Sequence, residues 1–234
     1  MLSFTLVVLL LFVVLFMGLP VAFSLGGTSL LLIPLFDLPM KIAGATVFTS
    51  LDSFTVLSIP LFVLMSQILL DGRIGDDLFE VMNAWVRHLP GGLAIATILA
   101  CAFFAAITGS GAATAATIGM VAYPAMIDRG YEKKFTLGLL AAGGTLGILI
   151  PPSIPMILYG SITEESVGKL FIAGVVPGLM LTGLFIVYAV YKSKRGGFTP
   201  MDKAPWSERL QVTRKNFWGI LLPFLIIGGI YTGA

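Results

Sequence analysis

Ile107-Thr108-Gly109-Ser110-Gly111-Ala112-Ala113-Thr114-Ala115-Ala116-Thr117 lies inside a run from His88 to Ile127 that contains no Lys, Arg, Asp or Glu. A bilayer core needs about 20 apolar residues per helix, so this run is roughly twice the length of one span. The glycines and hydroxyls at its middle are poor interior residues for a single long helix and good ones for a turn. The flanking charges agree. Arg73 and Arg87 precede the run, and Arg129, Lys133 and Lys134 follow it. One crossing would put these two basic loops on opposite sides of the membrane, whereas a hairpin puts both on the cytoplasmic side, where basic loops belong. The sequence therefore predicts that 90–107 enters, that 108–112 turns, and that 113–127 returns, as a re-entrant helical hairpin.

A second interruption reads Gly143-Gly144-Thr145-Leu146-Gly147-Ile148-Leu149-Ile150-Pro151-Pro152-Ser153-Ile154-Pro155. Its three prolines remove three backbone donors and forbid a regular helix, leaving preceding carbonyls without partners. The uncharged segment 135–160 around it is expected to be a broken transmembrane helix. Non-helical backbone survives at membrane depth only when buried in protein or lining a wet cavity. Broken helices there can hold a small cation on free carbonyls and an anion on free N–H groups. Each feature also has a structural explanation. Gly143 and Gly147, like Gly174 and Gly178, have the spacing of close helix packing. A Gly/Ser/Thr tip can be a tight turn, and prolines can simply kink a span.

The rest of the chain fits a polytopic protein. Only 11% of the residues are charged and 57% are hydrophobic, where soluble domains carry about 25% charged residues. Further uncharged runs cover 1–36, 53–70, 170–191 and 216–234. Residues 1–17 lack a basic leader and a clear cleavage site, so they read as a retained span. Gly18-Leu19-Pro20 marks a turn between apolar segments 2–18 and 20–36. Asp52 is either an intramembrane functional carboxylate or the cap of helix 53–70, and cap preference favours the second. In 71–89, Ile74, Leu78, Val81, Met82, Trp85 and Leu89 form one apolar stripe between polar residues, an amphipathic arm suited to the membrane interface. Segment 192–215 carries Lys192, Lys194, Arg195, Lys203, Arg209, Arg214 and Lys215 against Asp202 and Glu208, which places it in the cytoplasm. The expected organisation is 1–89 as scaffold helices with the arm 71–89, 90–160 as the hairpin 90–127 and broken helix 135–160, and 161–234 as further spans.

Other function classes find no support. A net charge of +2, with no basic stripe outside 192–215, excludes a nucleic-acid partner. The single cysteine, Cys101, allows no disulfide framework or cysteine metal site. Gly109-Ser110-Gly111-Ala112-Ala113-Thr114 lacks the last glycine of a dinucleotide fingerprint, and Gly168-Lys169 lacks the upstream glycine of a P-loop. The lone histidine, His88, borders a cytoplasmic loop and offers Ser110 no intramembrane base, so no enzyme is expected.

Several ordered motifs resemble one family along essentially the whole chain. They are Leu51-Asp52-Ser53-Phe54, Ile59-Pro60-Leu61-Phe62, the tip Thr108–Gly119, Tyr123-Pro124-Ala125-Met126 with Arg129-Gly130-Tyr131, and Gly147–Pro155 through Tyr159-Gly160. Phe171-Ile172-Ala173-Gly174 and Pro177-Gly178 continue the series. Together they resemble the large membrane subunit of tripartite ATP-independent periplasmic (TRAP) transporters. That resemblance implies an all-α polytopic elevator fold in the bacterial inner membrane, and import of an organic acid such as a C4-dicarboxylate or sialic acid by Na⁺ symport. It implies a small membrane subunit and a periplasmic substrate-binding protein as partners, with no cofactor other than Na⁺ as coupling ion. By the same resemblance, Na⁺ and substrate binding fall to Thr108, Gly109, Ser110 and Gly111 of the tip, and to Gly147, Pro151, Pro152 and Ser153 of the break. Family members have about twice this length, built as two inverted repeats, and here the first repeat is followed only by Ile230-Tyr231-Thr232-Gly233-Ala234. The expectation is half of a transport site, inactive alone, as a fragment, a truncated product or one part of a split subunit. The alternative is a truncated membrane scaffold or assembly protein that does not transport.

Overall fold

The computed structural model describes residues 2–198 and 200–232, and among them every regular element is a helix. Gly233 and Ala234, at the expected start of a second repeat, lie outside the described residues. The chain divides into two compact units, Met1–Leu57 and Ser58–Ala234.

In the first unit, α1 (Leu2–Phe16) and α2 (Val21–Leu35) pack on each other after a turn in which Gly18 takes φ +82°. Phe4, Phe12, Phe16, Phe23 and Leu31 are exposed, which in water would be costly and in lipid is not. The α3 helix (Lys41–Leu51) ends where the N–H of Asp52 reaches Phe48 O at 2.8 Å, and α4 (Phe54–Asp71) follows. Asp52 thus sits at the joint between two helices.

The second unit is built around α6 (Gly92–Thr108). Its small residues Ala94, Ala96, Ala100 and Ala105 are all fully buried, so neighbouring helices approach closely on every side. Against it pack α5 (Ile74–Val86), α7 (Gly111–Asp128), α8 (Lys133–Leu149), α10 (Val167–Arg195) and α12 (Phe217–Thr232). The spans Lys133–Thr163 and Val167–Arg195 are each long and apolar enough to cross a membrane. The first is α8 followed by α9 (Ile154–Thr163).

Most of the apolar stripe expected in 71–89 is covered by protein, while Trp85 and Leu89 stay exposed. Leu78, Phe79, Val81 and Met82 are buried, chiefly against α6, and the indole N–H of Trp85 donates to Thr213 Oγ1 at 3.0 Å.

The basic segments meet at one end of this unit. Arg87 forms two hydrogen bonds to Glu208 of α11 (Trp206–Lys215), at 2.6 and 3.0 Å, and a third to Asp202 O at 2.9 Å. The Arg209 guanidinium lies 5.6 Å from the ring centres of both Trp85 and Trp206. Tyr131, which follows α7, stacks on Phe198 at 4.0 Å between ring centres. The residues before α6 and after α7 therefore both rest on the segment 198–209, so the two helices leave from and return to the same end. At the opposite ends of their helices, the Tyr231 hydroxyl of α12 donates to Gly168 O of α10 at 3.1 Å.

Candidate functional site

The turn between α6 and α7 is tighter than its composition suggests. Thr108 is the last residue of α6 and Gly111 the first of α7, leaving only Gly109 and Ser110 between them. Two residues suffice because each performs one capping task. Gly109, at φ +62°, ends α6 in the left-handed conformation and returns its N–H to Ala105 O at 2.9 Å. Ser110 is extended, and its hydroxyl accepts from the N–H of Ala113 at 3.4 Å, capping α7.

Fully buried hydroxyls surround this turn. Thr114 Oγ1 donates to Ser110 O at 2.8 Å and lies 3.4 Å from Thr108 Oγ1. The Ser66 hydroxyl of α4 lies within reach of Thr108 O at 3.0 Å and of Phe62 O at 2.7 Å. Nothing in the sequence marked Ser66, one of several hydroxyl residues in an apolar helix.

The second interruption is also narrower than expected. Helix α8 continues through Gly143, Gly144 and Gly147, and only Ile150–Ser153 leave the helix, with the Pro151–Pro152 bond cis. Pro151 has no N–H for Gly147 O, and Pro152 has none for Ile148 O. Ser153, fully buried, replaces one of these bonds by donating its hydroxyl to Ile148 O at 2.8 Å, then starts α9 as its N-cap residue. Gly147 O keeps no helical partner.

Tip and break are in direct contact. The N–H of Ile154 donates to Gly109 O at 3.3 Å. A Cβ on Gly109 would stand 2.6 Å from Pro152 O, and one on Gly111 would stand 2.7 Å from Gly144 O. One on Gly147 would stand 2.7 Å from Gly111 N. From the other side, Gly174 and Gly178 of α10 leave room for Leu149 O and the Ile150 side chain at 2.5 and 2.8 Å from their own would-be Cβ positions. The packing explanation of the GxxxG pairs therefore holds, and its effect is to seat the break against the tip.

Every residue named from the sequence lies in this junction: Thr108, Gly109, Ser110 and Gly111 on one side, Gly147, Pro151, Pro152 and Ser153 on the other. Four helix ends converge there. The C-termini of α6 and α8 present carbonyls, and the N-termini of α7 and α9 present N–H groups. Among the described residues the junction holds no carboxylate, so its available oxygens are carbonyls and hydroxyls, the donors a hard monovalent cation accepts. One side stays open, where Ala112, Thr145, Ile148 and Pro155 are exposed.

The family profile "Tripartite ATP-independent periplasmic transporter, DctM component" matches residues 8–234. The chain belongs to the DctM family. It is 45% identical over 214 residues to a C4-dicarboxylate TRAP transporter large permease protein of Pseudomonas aeruginosa, covering 90% of this chain and 50% of that protein. It is 37% identical to the corresponding protein of Rhodobacter capsulatus, covering 92% of this chain and 52% of the relative. A sialic acid TRAP transporter large permease protein of Vibrio cholerae is 33% identical, with 94% and 52% covered. The chain thus spans about half the length of these relatives. Family membership and the apolar helices make it a membrane protein of a transporter permease family, not of an enzyme family.

Proposed function

We propose that this chain is the N-terminal half of the permease subunit of a Na⁺-coupled, binding-protein-dependent importer of an organic acid, and that it does not transport alone. The observation that carries this reading is the contact between Gly109 and Ile154, which joins two broken helices at one point. In this reading the α6–α7 hairpin is re-entrant. Both its ends face the cytoplasm with 198–209, and its tip lies within the membrane. With 17 and 18 residues at about 1.5 Å each, α6 and α7 carry the tip about 25–27 Å from the cytoplasmic end, deep in a core of about 30 Å.

The chain's own groups then divide the work. Gly147 O and the carbonyls at the end of α6 offer oxygens to Na⁺, and the Ser110 and Ser153 hydroxyls add neutral donors beside them. The N-terminus of α7 opens beside the exposed Ala112, where a substrate carboxylate gains from the helix dipole. The same exposed side is where a second half of the site belongs, supplied by residues beyond this segment's counterpart in its relatives. The small membrane subunit and a periplasmic binding protein complete the assembly, and transport proceeds by an elevator movement of the tip-and-break unit. The most similar of these relatives are named for C4-dicarboxylates, which supports that substrate class first, others being named for sialic acid, isethionate or ectoine.

Reconstitution tests this. Proteoliposomes holding the chain, a complementary C-terminal half, a small subunit and a binding protein should take up a C4-dicarboxylate or sialic acid only with a Na⁺ gradient. Omitting the C-terminal half should abolish uptake. Uptake by the chain alone, or uptake indifferent to Na⁺, contradicts the proposal; no uptake under any combination favours a scaffold role.

A further inference from the structure

We propose that the cleft between the basic ends of α8 and α10 is a binding groove for one anionic phospholipid. The cleft has a volume of about 520 Å³ and is chemically divided along its length. Its mouth carries Lys134 and Lys192 beside Glu132, and its wall is Gly138, Leu139 and Ala142 of α8 facing Phe185 and Tyr188 of α10. An adjoining hollow of about 220 Å³ shares Glu132 and Lys192 and adds Tyr191 and Arg195. Three cations and one carboxylate thus line the two adjoining hollows.

None of these cations is spent on an ion pair. Among the described residues the pairs within 4 Å are Arg87–Glu208 and Lys215–Glu80. Arg195 lies over the Tyr191 ring at 4.9 Å, a contact that uses the face of the guanidinium and leaves its N–H edge for an acceptor. Basic pockets between transmembrane helices at the membrane surface are the setting in which phosphate headgroups bind.

The dimensions select a lipid over a soluble anion. From Lys134 to Ala142 α8 advances about 12 Å, and from Lys192 back to Phe185 α10 covers about 10 Å. One leaflet of hydrocarbon is about 15 Å deep. The wall therefore matches the upper part of one acyl chain, with cations only where its phosphate sits. A soluble phosphate has no use for the wall, and a zwitterionic lipid leaves the cations unmatched. The inference rests on the membrane placement of α8 and α10, and on nothing proposed about Na⁺ or substrate.

Native mass spectrometry of the full chain released from detergent micelles reads the complex directly, with dioleoyl phosphatidylglycerol, dioleoyl phosphatidylcholine and glycerol phosphate as probes. Phosphatidylglycerol should be retained about ten-fold or more over phosphatidylcholine, and glycerol phosphate not at all. The combined variant Lys134→Gln, Lys192→Gln, Arg195→Gln should lose that preference. A control with Lys194→Gln, Lys203→Gln and Arg214→Gln, cations outside the cleft, should keep it. Gly138→Phe fills the wall from a position with no atom within 4 Å of the added Cβ, and should lower retention of phosphatidylglycerol while the helices stay folded. Equal retention of the two lipids overturns the proposal, pointing to an apolar face that a partner helix covers. So does an equal loss in the control, unchanged binding in Gly138→Phe, or binding of glycerol phosphate by itself.

Discussion

The N–H of Ile154, the first residue of α9, donates to the carbonyl of Gly109, the residue that ends α6, at 3.3 Å. One bond thus links the N-terminus of one broken helix to the C-terminus of another. It consumes a carbonyl and an N–H that would otherwise be orphaned in a low-dielectric interior, where each costs about 1–3 kcal/mol. Contact between tip and break is for this reason a property of the backbone, and side-chain changes disturb it mainly through size.

Gly109→Ala is the sharpest case. The residue has φ +62°, and an added Cβ would meet Pro152 O at 2.6 Å. The variant should lose about 1–3 kcal/mol of stability, read as a lower melting temperature in detergent. Transport by the reconstituted assembly should fall with it.

Gly147→Val and Gly138→Ala form a matched contrast on α8. A Cβ at 147 would stand 2.7 Å from Gly111 N, while one at 138 meets nothing within 4 Å. Gly147→Val should separate tip from break and destabilise the protein. Gly138→Ala should be neutral or stabilise by up to about 1 kcal/mol through helix propensity. Thermal unfolding of the two variants side by side checks the sign at each site.

Arg87 and Glu208 should couple energetically. Their paired hydrogen bonds are partly shielded, with side chains 19% and 38% exposed. A double-mutant cycle with Arg87→Met and Glu208→Gln should give about 1–2 kcal/mol, above the about 0.2–1 kcal/mol of open surface pairs. The same pairing requires both residues on one side of the membrane. Reporters fused near Lys134 and Lys203 should both read cytoplasmic.

Cys101 is fully buried in α6, where Gly143 of α8 leaves room for its sulfur. A maleimide should label it in neither face of sealed vesicles, and should react only when the protein is unfolded.

Helix positions were legible because uncharged runs and loop charges are coarse signals that membrane physics enforces. The expected segments 53–70, 170–191 and 216–234 correspond to α4, α10 and α12 within a few residues. The extents of the two interruptions were less legible. The turn was expected over 108–112 and is confined to Gly109 and Ser110, because composition counts turn-prone residues but does not show that one glycine and one serine can cap both helices. The second interruption was quoted from Gly143 to Pro155, whereas Gly143, Gly144 and Gly147 remain helical and only Ile150–Ser153 leave the helix; the GxxxG spacing of Gly143 and Gly147 had already allowed for close packing. Ser66 was invisible, since its contact with Thr108 O depends on tertiary packing. Of the stripe expected in 71–89, Leu78, Val81 and Met82 are buried, chiefly against α6, and Trp85 and Leu89 are exposed; periodicity alone cannot say which part of an apolar face a neighbouring helix covers.

In the proposed function the junction of tip and break holds Na⁺. The most direct measurement is the initial rate of substrate uptake against Na⁺ concentration, in proteoliposomes containing the chain with its complementary half and both partners. Ser153→Ala removes a buried hydroxyl at the junction, and Thr97→Ala removes one of similar burial that donates to Leu93 O at 2.9 Å near the other end of α6. Half-saturation by Na⁺ should move to higher concentration by about ten-fold for Ser153→Ala, the loss of roughly one oxygen ligand, and stay unchanged for Thr97→Ala. An unchanged Na⁺ dependence in a folded, transporting Ser153→Ala assembly contradicts the claim.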